Sequence, residues 1–221
     1  MAVKLLISGE SNSGKTTLIR GLEDSLTIYY DSKVFPFKQP HVPLQRFSSV
    51  QEIADTVREK VKAYKEVYGK VPKTIVFDAV STIYEELQDA CNKKYKGYAQ
   101  YSALNGEVSE LNRFLQEDIL DHGCNVIIIS HAVYDADTGK YGLVAVGQFA
   151  KRSAWLSVVD EAIFITVGVS GKRELHFRST KYPARTLTES LPDSMDVTDF
   201  DMQKHLDMLA DNAAGVNEFA L

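Results

Sequence analysis

Eight consecutive residues, Gly9-Glu10-Ser11-Asn12-Ser13-Gly14-Lys15-Thr16, carry the clearest chemistry in the chain. They fit the pattern G-x-x-x-x-G-K-[ST] without a gap. A loop that wraps a phosphate group must let its backbone turn sharply and approach oxygen, so glycine belongs where a Cβ would intrude. Its N–H groups and the N-terminus of the following helix then face an anion. In that arrangement Lys15 reaches the β- and γ-phosphates of a nucleotide, the Thr16 hydroxyl binds Mg²⁺, and Thr17 touches the α-phosphate. The expected cofactors are therefore ATP and Mg²⁺. A second acidic element, Asp78, closes the apolar run Ile75-Val76-Phe77. A buried strand ending in one carboxylate is how a Walker B element delivers charge to the Mg²⁺ shell. The alternative for Asp78 is a helix cap.

The elements needed to position these groups are legible on both sides. Residues 3–8 form a short apolar run ending in glycine, which reads as a buried parallel strand. Leu18, Ile19 and Leu22 follow at helical spacing, predicting a helix over residues 16–22. A second strand is expected over 26–30, with Asp31 at its end. Three of the six prolines fall in 32–47, which predicts a loop. Ser49-Val50-Gln51-Glu52 has the form of a capping box, and apolar residues at helical spacing run from Val50 to Tyr64 before Gly69. A third strand over 74–77 precedes a helix through Ile83, Leu87 and Cys91. Residues 92–104 read as a basic, tyrosine-rich segment, with Asn105 capping a further helix.

A fourth core strand, 125–129, ends at Ser130-His131, and a polar, glycine-containing stretch follows to about residue 148. Strands at 162–167 and 174–178, joined by a Ser170-Gly171 turn, and an amphipathic helix near 199–209 complete the reading. Strands alternating with helices predict an α/β sheet with helices on both faces, extended by an antiparallel C-terminal pair. Residues 1–190 read as the core and 191–221 as an acidic tail with a short helix.

Composition bounds the possibilities. The 221 residues are 44% hydrophobic and carry a net charge of −5, which argues against a globally basic nucleic-acid coat but not against a local basic channel. The two cysteines, Cys91 and Cys124, have no metal-ligand spacing and read as reduced thiols. The first apolar run stops at Gly9, too short for a signal peptide or membrane span, so a cytoplasmic protein without membrane partners is expected.

The phosphate loop through Leu18 resembles that of RecA-type recombinases. The run from Thr74 to Ile83 resembles their Walker B strand and its continuation. Asn125-Val126-Ile127-Ile128-Ile129-Ser130-His131 resembles the core strand that ends in a γ-phosphate sensor, and residues 147–165 resemble the return of the second DNA-binding loop. Order and spacing cover roughly residues 1–180. The overall pattern is similar to the short RecA-like ATPases of bacteriophages, grouped with AAA-type P-loop proteins, some of which anneal single strands.

The resemblance implies a RecA-like P-loop core. It also implies single-stranded DNA as partner, self-assembly into a ring or filament, and a single-strand-binding protein as a further partner. It makes His131 the sensor, where RecA itself carries glutamine. The family's catalytic glutamate has no counterpart after the second strand. The nearest acid, Asp31, either orients the attacking water or is a solvated turn residue. Lys181, with Arg185 in reserve, either reaches a neighbouring protomer's ATP or forms a solvated basic turn.

Lys93, Lys94 and Lys96 interleaved with Tyr95, Tyr98 and Tyr101 suit phosphate neutralisation and base stacking. Tyr134, Lys140 and Tyr141 fall in the second candidate loop, with Lys151 and Arg152 at its return. The alternative is a pair of surface loops whose tyrosines pack locally. Two other functions compete. One is a small-molecule nucleotide kinase, although Ala79 follows Asp78 where an Asp-Arg pair would be usual. The other is an ATP-switched assembly module with little hydrolysis, which the missing glutamate favours.

Overall fold

The computed structural model describes residues 1–30, 34–147 and 154–214. Among them, β1 (Lys4–Gly9) leads through the glycine-rich loop into α1 (Lys15–Leu18), β2 (Ser25–Tyr29) and β3 (His41–Pro43). Next come α2 (Val50–Tyr68), β4 (Thr74–Asp78), α3 (Val80–Lys94) and α4 (Tyr98–Arg113), which runs on as a π-helical segment, Phe114–Leu120. The remainder comprises β5 (Asn125–Asp135), β6 (Lys140–Leu143), β7 (Glu161–Val167), β8 (Arg173–His176), β9 (Ser194–Asp196) and α5 (Met202–Ala214).

The strands lie in the order β3-β2-β4-β5-β1-β7-β8-β9, and β6 pairs with the extension of β5. The six strands from β3 to β7 are parallel, and β8 and β9 add antiparallel partners. This is the expected α/β sheet. Its central strands are apolar at nearly every position because both faces are covered. Leu6, Ile28, Phe77, Val126 and Ile128 pack on one face against α2, α3 and α4. Leu5, Ile7, Val76, Ile127, Ile129 and Ile163 pack on the other against Leu18 and Ile19 and against Leu206 and Leu209 of α5. The alternation follows from the two-residue period of a strand.

Several local expectations change. The helix expected over 16–22 is only four residues long. Beyond it, Ile19, Arg20 and Leu22 donate to carbonyls three residues back, and Gly21 at φ 86° turns the chain away. β3 occupies part of the proline-rich segment expected to be loop, pairing with β2 through Thr27–His41 register. The Ser49 cap holds, its Oγ accepting from Glu52 N at 3.4 Å, but the Glu52 carboxylate reaches back to Ser48 instead. Asn105 is not a cap. Gly97 precedes the helix, and Tyr98 and Tyr101 are already helical. The polar stretch after residue 131 is a β-hairpin, with Ala132 facing Leu143 and Asp135 facing Lys140.

The expected boundary at 190 falls inside one core. Met202, Leu206 and Leu209 of α5 are buried beneath the sheet, and His205 Nε2 lies 2.5 Å from Oε1 of Glu161 at the start of β7. Thr186 Oγ1 donates to the other oxygen of Glu161, also at 2.5 Å. Arg178 donates to the carbonyls of Thr188 and Leu191, which ties down the intervening segment. No described helix is long and apolar enough to cross a membrane.

Candidate functional site

The parallel strands deliver the site. β1 has β5 as one neighbour and β7 as the other, so successive connections leave it on both sides, and a crevice opens at the carboxyl ends of such strands. Register aligns Gly9 with His131 and Asp78 with Ile129, which brings the phosphate loop, the acidic strand end and the proposed sensor together. They line one cleft of about 290 Å³, with contributions from Ser11, Asn12, residues 14–17, Tyr29, Ala79 and Arg173.

The loop has the backbone its motif requires. Gly14 sits at φ 101° and Asn12 at φ 63°. A Cβ on Gly9 would lie 2.6 Å from the Ile165 carbonyl, so only glycine lets β7 approach. Lys15 is 5% exposed, and its Nζ donates to the carbonyls of Gly9 at 3.0 Å and Glu10 at 2.6 Å. These bonds curl the side chain along the inner side of the loop. Thr16 Oγ1 donates to Asp78 Oδ2 at 2.6 Å. A buried carboxylate with a hydroxyl in hydrogen-bond contact matches the hard-oxygen chemistry of Mg²⁺, which is usually held by one or two protein oxygens plus phosphates and water. The residues present therefore fit a Mg²⁺–nucleotide group, with Thr16 and Asp78 on the metal and Lys15 on the phosphates. His131 is half-buried beside them, and its backbone N–H donates to Ser81 Oγ at 3.4 Å.

The other expected residues scatter. Asp31, Lys151 and Arg152 lie outside the described residues. Lys181 is exposed, with Nζ 5.4 Å from the centre of the Tyr182 ring. Arg185 is committed within its own chain. It bridges Ala162 through its backbone, and its guanidinium donates to the Val159 carbonyl at 2.6 Å, so it does not project as a finger.

Tyr98 and Tyr101 are 86% and 55% exposed, and Lys93, Lys94 and Lys96 are exposed too. Tyr95 lies at the edge of exposure, with Lys94 Nζ 5.4 Å from its ring. Lys93, Lys94 and Tyr95 line a separate cavity with Glu52, Glu86 and Glu107, so the local field is mixed rather than purely basic. In the hairpin, Tyr134 and Lys140 are exposed. Tyr141 is not a free stacking platform. Its ring packs 5.2 Å from Tyr134, 5.2 Å from Phe164 and 5.5 Å from Tyr182. Burial pushes its phenol above the ordinary range, and the neighbouring Glu10 carboxylate adds to the effect. The hairpin thus touches the phosphate loop through one side chain.

Sequence reasoning missed Arg173. Its Nε donates to the Ser13 carbonyl at 3.0 Å, which sets a cation beside the loop. The only local signal was its place just after the Ser170-Gly171 turn.

A family model described as an AAA domain matches residues 1–186, and the chain belongs to that family. The site and the family agree on a nucleotide-binding P-loop ATPase. No curated protein matches the chain.

Proposed function

We infer that the protein binds ATP with Mg²⁺ in this cleft, hydrolyses it, and uses the nucleotide to control assembly on single-stranded DNA in the manner of RecA-like annealing proteins. The Thr16–Asp78 hydrogen bond beside the buried Lys15 carries the nucleotide half of this reading. Lys15 would hold the β- and γ-phosphates, and Thr16 and Asp78 would hold the metal. Bound Mg²⁺ neutralises charge that develops on the transferred phosphoryl group. His131 opens the hairpin next to Gly9, which supports a route from the γ-phosphate to Tyr134 and Lys140. The exposed Tyr98 and Tyr101 beside three lysines support contact with unpaired bases and phosphates. Lys181 is the cation proposed to reach a neighbouring protomer.

One observation favours an ATP-switched assembly module with slow turnover. Among the described residues lining the cleft, Asp78 is the one carboxylate, and it is bonded to Thr16. The water-orienting role then rests on Asp31.

Three measurements separate the readings: ATP turnover with and without single-stranded DNA, DNA anisotropy with and without an ATP analogue, and turnover with nucleoside monophosphates as acceptors. Analogue-enhanced DNA binding with stimulated turnover supports the annealing reading. Enhanced binding without turnover supports the switch. Phosphorylated monophosphate makes the protein a kinase, and absence of any DNA binding at low salt rejects the DNA half.

A further inference from the structure

The sheet order gives the phosphate loop two distinguishable sides. Asp78 ends β4, two strands from β1 with β5 between, and Arg173 opens β8, two strands from β1 on the other side with β7 between. Thr16 bonds Asp78, so a metal and the terminal phosphate belong on the β4 side. Among the described residues lining the cleft, Arg173 is the one on the β7–β8 side, where the end of a nucleotide remote from the metal would lie.

Arg173 stands on that side. Its Nε–H bond to Ser13 O fixes the head of the side chain against the loop. A Cβ on Gly14 would lie 3.1 Å from Nε and 3.3 Å from Cδ, so the guanidinium plane occupies the space next to that glycine. It lines the same cleft as Lys15, Thr17 and Asp78. One of its five N–H groups is used by Ser13, and the residue is otherwise exposed. An exposed planar cation anchored at one edge is suited to lie on an aromatic ring.

We propose that Arg173 is a nucleoside clamp, packing its guanidinium on the base of the bound nucleotide. This rests on the nucleotide reading of the cleft. It gives the site a contact that depends on the base and is indifferent to the number of phosphates. A cation serving the terminal phosphate would behave in the opposite way.

The test compares ATP, ADP and inorganic tripolyphosphate binding to the whole chain by calorimetry, for wild type, Arg173→Ala and Arg173→Lys. Arg173→Gln, which keeps a donor for Ser13 O, replaces the alanine variant if that one does not fold. The clamp predicts about tenfold weaker ATP and ADP binding in Arg173→Ala, tripolyphosphate unchanged within about twofold, and no recovery with lysine. Equal loss for tripolyphosphate, greater loss for ATP than ADP, full recovery by lysine, or no change at all would overturn it while leaving the nucleotide reading intact. Wild-type protein that binds tripolyphosphate but neither nucleotide also overturns it. Wild-type protein that binds none of the three ligands removes the nucleotide reading and the clamp together.

Discussion

Asp78→Asn tests the metal side of the cleft with the least disturbance to its shape. The variant keeps an oxygen able to accept the Thr16 hydroxyl, now 2.6 Å from Oδ2, and removes only the negative charge. An interaction with a charged group contributes about 1.5–3 kcal/mol, which is about 10–100-fold in an equilibrium constant. The Mg²⁺ concentration that supports half-maximal binding of a fluorescent ATP analogue should therefore rise about 10–100-fold. Affinity without Mg²⁺ should hold or improve, because one negative charge beside a polyphosphate is gone. Asp78 is 5% exposed, and burying a carboxylate opposes folding, so the thermal midpoint without ligand should not fall. Thr16→Ala combined with Asp78→Asn should lose less than the sum of the two, since both act through one contact. Titration of the analogue across a Mg²⁺ series gives all of these values. An unchanged Mg²⁺ midpoint together with a lowered thermal midpoint would refute the argument and make the Thr16–Asp78 bond a purely structural contact.

Other consequences are independent of the metal. Burial pushes the Cys124 thiol up to about 12 from 9.0, so its contribution is complete below pH 9 and is lost as pH rises from 9 toward 12. Urea unfolding should weaken by up to about 1.4 kcal/mol per pH unit from this group across that window. Cys124→Ala should flatten the slope, and an identical slope in both proteins would assign it elsewhere. His205→Ala leaves Oε1 of buried Glu161 without its partner, though Thr186 still holds the other oxygen, and opens space beneath Phe177 and Phe200, so it should cost about 3 kcal/mol in urea unfolding. A loss below about 1 kcal/mol would mean that α5 is held by its apolar face alone. Tyr98→Ala and Tyr101→Ala should each cost about 1–3 kcal/mol in single-stranded DNA affinity, while lysine substitutions at 93, 94 and 96 should reduce the salt slope instead. Unaltered DNA affinity in both tyrosine variants would exclude the start of α4 from the DNA surface.

The parts of this molecule that could be read from its sequence are those whose geometry is imposed locally. The phosphate loop was readable because a tight anion cradle demands glycine, lysine and threonine at fixed spacing over eight residues. The central strands were readable because two covered faces demand continuous apolar runs. The start of α4 is hidden in the sequence because lysine and tyrosine between 92 and 101 mask the helical spacing of Ala99, Ala103 and Leu104. The hairpin after His131 was missed for a different reason. Its pairing is antiparallel and half-exposed, and its turn at 136–139 is held by Asp135 side-chain bonds to Asp137 and Thr138 rather than by a two-residue glycine turn. Arg173 and Tyr141 depend on strand order. Only when β8 lies beside β7, and β7 beside β1, does residue 173 meet residue 13. Tyr141 meets Phe164 and Tyr182 for the same kind of reason, and no local pattern carries that information.

The central claim is that the loop over residues 9–16 holds the phosphates of ATP. Calorimetric titration of wild type and Lys15→Ala with a slowly hydrolysed ATP analogue in Mg²⁺ tests it most directly, with circular dichroism to confirm that both are folded. The account predicts saturable binding of one nucleotide per chain in the wild type, and loss of most of that affinity when the lysine, now on the Gly9 and Glu10 carbonyls, is removed. Binding of equal strength in a folded Lys15→Ala protein, or none in the wild type, would contradict it.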